Sequence, residues 1–244
     1  MKKQLELRIA PELYLKQLVI GGFERVYELG KVFRNEGIDA SHNPEFTSLE
    51  FYMAFADYRD LVAMTEDLLE KLALELFGAT RVLVPQFDID QRRVTKGAEA
   101  GRAADDARAL EFDFKGPYPQ FDVCEALGVD PDLFGRDAAT VKAALLAQTR
   151  LISDLQRPID FAALNNKQLV DKLIELRIEP KCQQPSFIMN HPMLMSPLAK
   201  SHAQGRSRGS PHLAERFELF AGGRELVNAY SEQNDPEAQR RGFE

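Results

Sequence analysis

Two strand-like runs early in the chain, Arg25–Arg34 and Phe46 to about Ala56, constrain the fold more than any other feature. The first is rich in β-branched and aromatic residues, and a polar loop from Gly37 to Pro44 separates the two. A connection this short joins antiparallel neighbours, because a parallel pair needs a crossover of about a dozen residues or more. A helix is expected before them, opening near Pro11, with Leu13, Leu15, Leu18 and Val19 on part of its face and Gly21-Gly22 as its stop.

After the second run the period turns helical from Asp57 to Phe77, with Leu61, Leu68, Leu72 and Leu76 as the predicted core stripe and Gly78 as terminator. Residues 79–180 are less regular and partly helical. Arg92–Arg108, rich in Ala, Gly and charge, reads as a surface insertion. Leu110–Phe114 alternates as a strand does, and helices are expected over about 120–127, 138–149 and 166–177. The end returns to strands: Ser186–Met189, then Arg216–Ala221 and Arg224–Glu232 as a hairpin turning on Gly222-Gly223. Asn234-Asp235-Pro236 signals a helix start, with the helix running from Glu237. The plan is α+β: an antiparallel sheet flanked by helices and interrupted by a helical insertion.

Composition narrows the function classes. The 244 residues carry 31 basic and 38 acidic side chains, a net charge of −7 that argues against a wholly basic nucleic-acid-binding surface. Cys124 and Cys182 are too few and too far apart for a disulfide scaffold or a zinc site, and read as buried thiols. No apolar run reaches the length of a membrane span, so no membrane partner is expected.

Candidate chemistry follows from strand parity. Phe46, Ser48, Glu50 and Tyr52 share one face, and Thr47, Leu49, Phe51 and Met53 share the other, the predicted core face. In the late hairpin, Ala221 opposes Arg224 and Phe220 opposes Glu225, which sets Glu218 and Glu225 on one face. Two close carboxylates repel unless a cation such as Mg²⁺ neutralises them. Asn228, Tyr230 and Glu232 form a second polar set. In a regular strand Glu225 and Asn228 point to opposite faces. His191 reads as a structural turn residue, and the Gly205–Ser210 loop between His202 and His212 as a solvated basic segment.

Several segments together resemble a known family. Phe33-Arg-Asn-Glu-Gly-Ile-Asp39, His42-Asn-Pro-Glu-Phe-Thr47 and Glu50-Phe-Tyr52 resemble motif two of class II aminoacyl-tRNA synthetases in its lysine-specific form. Arg8–Leu15, Met195–Lys200, Glu215–Phe220, Asn228-Ala-Tyr230, Asn234-Asp-Pro236 and Gln239-Arg240 resemble further lysyl-tRNA synthetase segments, in order and at compatible separations. The likeness is weakest at about 80–160.

The resemblance implies a site residue by residue. Arg34 bridges the amino-acid carboxylate and the ATP α-phosphate; Glu36, His42 and Asn43 hold ATP, and Phe46 stacks on adenine. Glu12 accepts from the α-ammonium of L-lysine, and Tyr52 and Glu232 take the ε-ammonium. Glu50, Asn228 and Tyr230 complete the pocket, while Glu218 and Glu225 coordinate Mg²⁺. These roles put Glu225 and Asn228 in one site, which requires a β-bulge between them. The implied reaction is a lysine–tRNA ligase's: lysine attacks the α-phosphorus of ATP to give lysyl-adenylate and pyrophosphate, and the lysyl group passes to tRNA(Lys). Motifs one and three and the anticodon-binding barrel are not found. The expectation is therefore a middle slice of a catalytic domain, inactive in isolation, of an enzyme that is a homodimer at full length. The implied compartment is cytoplasmic, with a mitochondrial form as the alternative if a targeting peptide lies upstream of Met1. Alternative readings are the synthetase-like enzyme that attaches lysine to elongation factor P, and a non-catalytic binding protein derived from a synthetase.

Overall fold

The computed structural model describes residues 5–38, 42–85, 109–152, 158–205 and 209–243, which fall into two compact units, one ending at Ala56 and the other beginning at Asp57. The expected surface insertion at 92–108 and residues 206–208 of the basic loop lie outside the described residues.

In the first unit, α1 (Glu12–Ile20) stops at Gly21, and β1 (Arg25–Phe33) pairs antiparallel with β2 (Glu45–Met53) in the register Glu28↔Glu50, Gly30↔Ser48 and Val32↔Phe46. The covered face is the reverse of the one hydropathy selects. Val26, Glu28, Gly30, Val32, Phe46, Ser48, Glu50 and Tyr52 are the shielded set, whereas Tyr27 and Leu29 are 73% and 65% exposed and Thr47 and Leu49 are exposed too. The physical reason is α1, which lies against the polar face: Leu15 is buried there and Lys16 sits over the Tyr52 ring. A helix of nine residues turns little more than one line of side chains inward, so Leu13 and Leu18 stay exposed, contrary to the expected face. Arg8 also crosses this face; a Cβ at Gly30 would come within 2.6 Å of its guanidinium, so the position accepts no side chain without displacing Arg8.

The second unit begins with α2 (Tyr58–Phe77), whose N-terminus is closed by a capping box between Asp57 and Asp60. Its inward line is Tyr58, Thr65 and Ala73, flanked by Leu61, Val62 and Leu69. Leu68, Leu72 and Leu76, expected in the core, are exposed. The leucine stripe and the packed stripe are both of helical period but offset around the axis, and period alone does not say which one meets the sheet. β3 (Arg81–Pro85) pairs with β4 (Ala109–Asp113), as the alternation at 110–114 predicts.

A four-stranded sheet in the order β5-β6-β7-β8 carries the rest: β5 (Gln120–Asp122), β6 (Ser186–Met189), β7 (Arg216–Ala221) and β8 (Arg224–Tyr230). β5 runs parallel to β6, so residues 120–122 are a strand rather than the start of a helix, and α3 covers only Val123–Leu127. α4 (Ala138–Thr149) and α5 (Asn166–Arg177) match the sequence expectation. These three helices are the main core. Leu127, Leu145, Leu169 and Leu173 pack with Ile188 and Phe220 on one side of the sheet, while Phe187, Phe217 and Leu219 pack with Tyr58 and Tyr118 on the other. Cys124 and Cys182 are buried, their thiols pushed up by that burial to about 12 and about 11. α6 (Pro236–Arg241) is capped by Asp235.

Candidate functional site

In the first unit the sequence-predicted nucleotide residues meet around one cavity. Arg34, Glu36, His42, Asn43 and Phe46 line a space of about 300 Å³. β1 delivers Arg34 just past its last paired residue, and the backbone closes the hairpin with Arg34 N–H donating to Pro44 O at 2.9 Å. The Arg34 guanidinium lies 5.2 Å from the Phe46 ring centre and donates through Nε to Ile9 O at 3.3 Å. His42 Nε2 stands 4.0 Å from Glu36 Oε2, and Asn43 Nδ2 donates to Glu45 O at 2.7 Å. A flat aromatic ring beside a forked cation suits a ligand with a stacking base and phosphates.

On the α1 side of the same unit, Tyr52 donates its hydroxyl to Glu50 Oε1 at 2.7 Å. Glu12 holds Lys16 Nζ at 2.5 Å, and that ammonium is 5.7 Å from the Tyr52 ring centre. Glu12, Tyr52 and Glu50 are thus gathered on one face with an ammonium already beside two of them. Glu28 pairs with Arg8 and faces Glu50 across the ladder.

In the second unit the hairpin geometry decides which side chains meet. Gly222 and Gly223 make the turn with φ of 58° and 73°, a left-handed pair favoured in two-residue hairpins. Ala221 opposes Arg224 and Phe220 opposes Glu225, but Leu219 opposes Val227, so Leu226 is the extra residue of a β-bulge. The bulge is the one expected between Glu225 and Asn228. It leaves Glu218 opposite Asn228 and Arg216 opposite Tyr230, so Arg216, Glu218, Glu225, Asn228 and Tyr230 share one face. Glu232 follows β8 half-buried, paired through its backbone with Ala199.

Glu218 is the most constrained of these. One oxygen accepts from Arg216 Nη2, and the other lies 3.2 Å from Nε2 of the fully buried His191. Burial by itself would raise the Glu218 carboxyl, but His191 and Arg216 outweigh it and hold the group below the usual carboxylate range. Glu218 is therefore favoured as a carboxylate, the form that could serve as an oxygen ligand. Glu225 is exposed, and among the described residues no group of three or more His, Cys, Asp or Glu side chains is placed to hold a metal ion. Two carboxylates without a third protein ligand suit Mg²⁺, which keeps several positions for water and phosphate oxygens. Nearby, Glu179 is pushed up to about 7, chiefly by burial and then by Glu175, Glu218, Asp171 and Glu225.

Two residues of this constellation escape sequence reasoning. Arg216 shares parity with Glu218, a signal present in the strand pattern. His191 follows the turn at Asn190, whose φ is 62°, and no periodicity places its ring on Glu218. Its role is thus more than that of a turn residue.

An α+β chain whose first unit ends a hairpin on Arg34 and whose second carries Glu218 and Glu225 on one sheet face is the plan of a class II synthetase catalytic domain. The family model for tRNA synthetases class II (D, K and N) matches residues 1–244, and the chain belongs to that family. It is 41% identical over its whole length to "Probable lysine--tRNA ligase, cytoplasmic" of Encephalitozoon cuniculi, covering 44% of that protein. It is 39% identical over its whole length to the lysine–tRNA ligase cla4 of Cladosporium cladosporioides, covering 37% of it. With 98% of its length it is 41% identical to a lysine–tRNA ligase of Aeromonas hydrophila, covering 41% of it. The chain thus spans about two fifths of the length of these relatives. Among the described residues no helix is long and apolar enough to cross a membrane.

Proposed function

We propose that this chain carries part of the catalytic domain of a lysine–tRNA ligase, which activates L-lysine with ATP and transfers it to tRNA(Lys). The observation that carries the reading is the convergence of Arg34, Glu36, His42, Asn43 and Phe46 on one cavity. The names of the relatives, each similar across nearly the whole chain, support lysine as the amino acid.

Arg34 neutralises charge on the α-phosphate and the attacking carboxylate, a task for a permanently charged planar fork. Phe46 stacks on the base, while Glu36, His42 and Asn43 hold the nucleotide. Glu12 receives the α-ammonium in exchange for Lys16, and the Tyr52–Glu50 pair and Glu232 receive the ε-ammonium. Asn228 and Tyr230 complete the amino-acid pocket. Glu218 and Glu225 hold Mg²⁺, which supplies charge neutralisation at the phosphates when bound. Little covalent work falls to the protein, so positioning and electrostatics carry the rate. A neutral or shorter substrate would leave a carboxylate buried without its cation, which is the source of selectivity. The full enzyme is proposed to act as a homodimer in the cytoplasm, the latter following the printed name of one relative.

The test is lysine-dependent ATP–pyrophosphate exchange by the full protein. Arg34→Ala is expected to lower the exchange rate about 10²–10³-fold. Exchange driven equally well by another amino acid would overturn the lysine reading, and lysine and ATP binding without exchange would favour a non-catalytic descendant.

A further inference from the structure

We propose that Arg216 is a positioning residue that fixes the metal-side carboxylate Glu218 and the amino-acid-side amide of Asn228 with a single guanidinium. This rests on the adenylation reading above. The Arg216 side chain is 12% exposed, and it serves four acceptors from three segments. Within β7, Nη2 donates to Glu218 Oε1. Across the ladder, Nε donates to Asn228 Oδ1 at 3.1 Å. Towards the segment after β6, Nη1 donates to Ser196 Oγ at 2.9 Å and to Met195 O at 3.3 Å.

The chemistry of arginine gives this arrangement a direction. Every guanidinium nitrogen is a donor and none accepts, so the Asn228 atom that meets it is the carbonyl oxygen. This orientation makes Nδ2 the atom not engaged by Arg216, and Nδ2 can serve only an acceptor such as a carboxylate or phosphate oxygen, while Oδ1 keeps a second lone pair. Meanwhile the two oxygens of Glu218 are held from opposite partners, Arg216 and His191, so the carboxylate cannot rotate freely. Arg216, Asn228 and Tyr230 line a cavity of about 220 Å³ together with residues 195–199. One residue thus sets the donor edge for the ligand's anionic end and the orientation of a metal ligand two positions along the strand. A lysine at 216 keeps the charge but has no fork to reach strand, ladder and loop at once.

The experiment compares calorimetric binding of L-lysine and lysinol, in which a hydroxymethyl group replaces the carboxylate, to the full protein. Arg216→Lys is expected to weaken lysine by about tenfold or more while lysinol loses much less, so that the lysine-over-lysinol preference falls about tenfold. Asn228→Asp is the second variant, independent of how well Arg216→Lys folds. With its fixed edge turned from donor to acceptor, it is expected to lose lysine and keep lysinol. Equal weakening of both ligands by Arg216→Lys would mean general loosening and would overturn the proposal. Unchanged or tighter lysine binding by Asn228→Asp would overturn the amide orientation and the proposal with it. A wild type that binds neither ligand sinks the lysine reading itself, whereas a wild type that binds both, with variants unaltered, sinks only the role of Arg216.

Discussion

The two units prepare their candidate residues in opposite ways. In the first, Arg34, Glu36, His42 and Asn43 are exposed at the loop end of a two-stranded hairpin, and the Arg34 side chain is held by one long hydrogen bond to a backbone carbonyl and by its place over an aromatic ring. In the second, Glu218 is embedded in a four-stranded sheet, clamped at both oxygens, over a core built from three helices. The difference teaches where the order comes from. On the hairpin the side chains stand exposed around a cavity, so under the reading proposed above it is the charged ligand that would order them. On the sheet the protein has already arranged its groups before anything arrives, which is what preorganised electrostatics requires.

The comparison breaks most visibly under truncation of apolar side chains. Phe217→Ala, at a fully buried position of the sheet, is expected to cost about 3–5 kcal/mol in urea unfolding followed by circular dichroism. Leu29→Ala, at an exposed position of the hairpin, should stay within about 0.5 kcal/mol. Equal costs would mean that the hairpin is as tightly packed as the sheet.

A smaller effect probes the turn that sets the register of the carboxylate strand. Gly222→Ala places a Cβ at φ of 58° and within 2.9 Å of the Phe112 ring, and is expected to cost about 1–2 kcal/mol in the same measurement. Arg224→Ala, next to the turn and exposed, provides the neutral control.

The last effect is electrostatic and is confined to one window of pH. Glu179 has its folded-state value raised from 4.5 to about 7, so between those pH values the folded state holds a proton that the unfolded state has released. Stability contributed at this position is therefore greatest in acid and falls as pH rises from about 4.5 to about 7. Glu179→Gln is expected to flatten that part of the stability–pH curve and to be more stable than the wild type near pH 8. A curve with unchanged slope would show that Glu179 is not held protonated.

How much of this was legible follows from what each signal encodes. Turn chemistry and caps are local, so Gly222-Gly223, Asp57 and Asp235 mark their elements directly in the sequence. The bulge was legible through the family resemblance alone, whose implied roles put Glu225 and Asn228 in one site and so call for an added residue between them. Burial is not local. The face of β2 with Leu49 and Phe51 is the more apolar, yet α1 crosses the other one, and hydropathy cannot see which face a neighbouring element will cover. The same blindness put Leu68, Leu72 and Leu76 in the core when Thr65 and Ala73 take that place, their small side chains letting α2 approach the sheet. His191 reaches Glu218 across 27 positions of chain, and only the folded sheet brings the pair together.

The bulge at Leu226 has a consequence for how β8 tolerates changes of length. It is the one place in the strand where the count of residues and the count of pairings part company, and it works as a slip joint. Losing Leu226, which is 49% exposed, would close the bulge and still leave Glu218 opposite Asn228 and Phe220 opposite Glu225. Beyond Asn228 there is no such slack. Loss of Ala229 would carry Tyr230 to the face of Phe217, out of the site and into the packed layer.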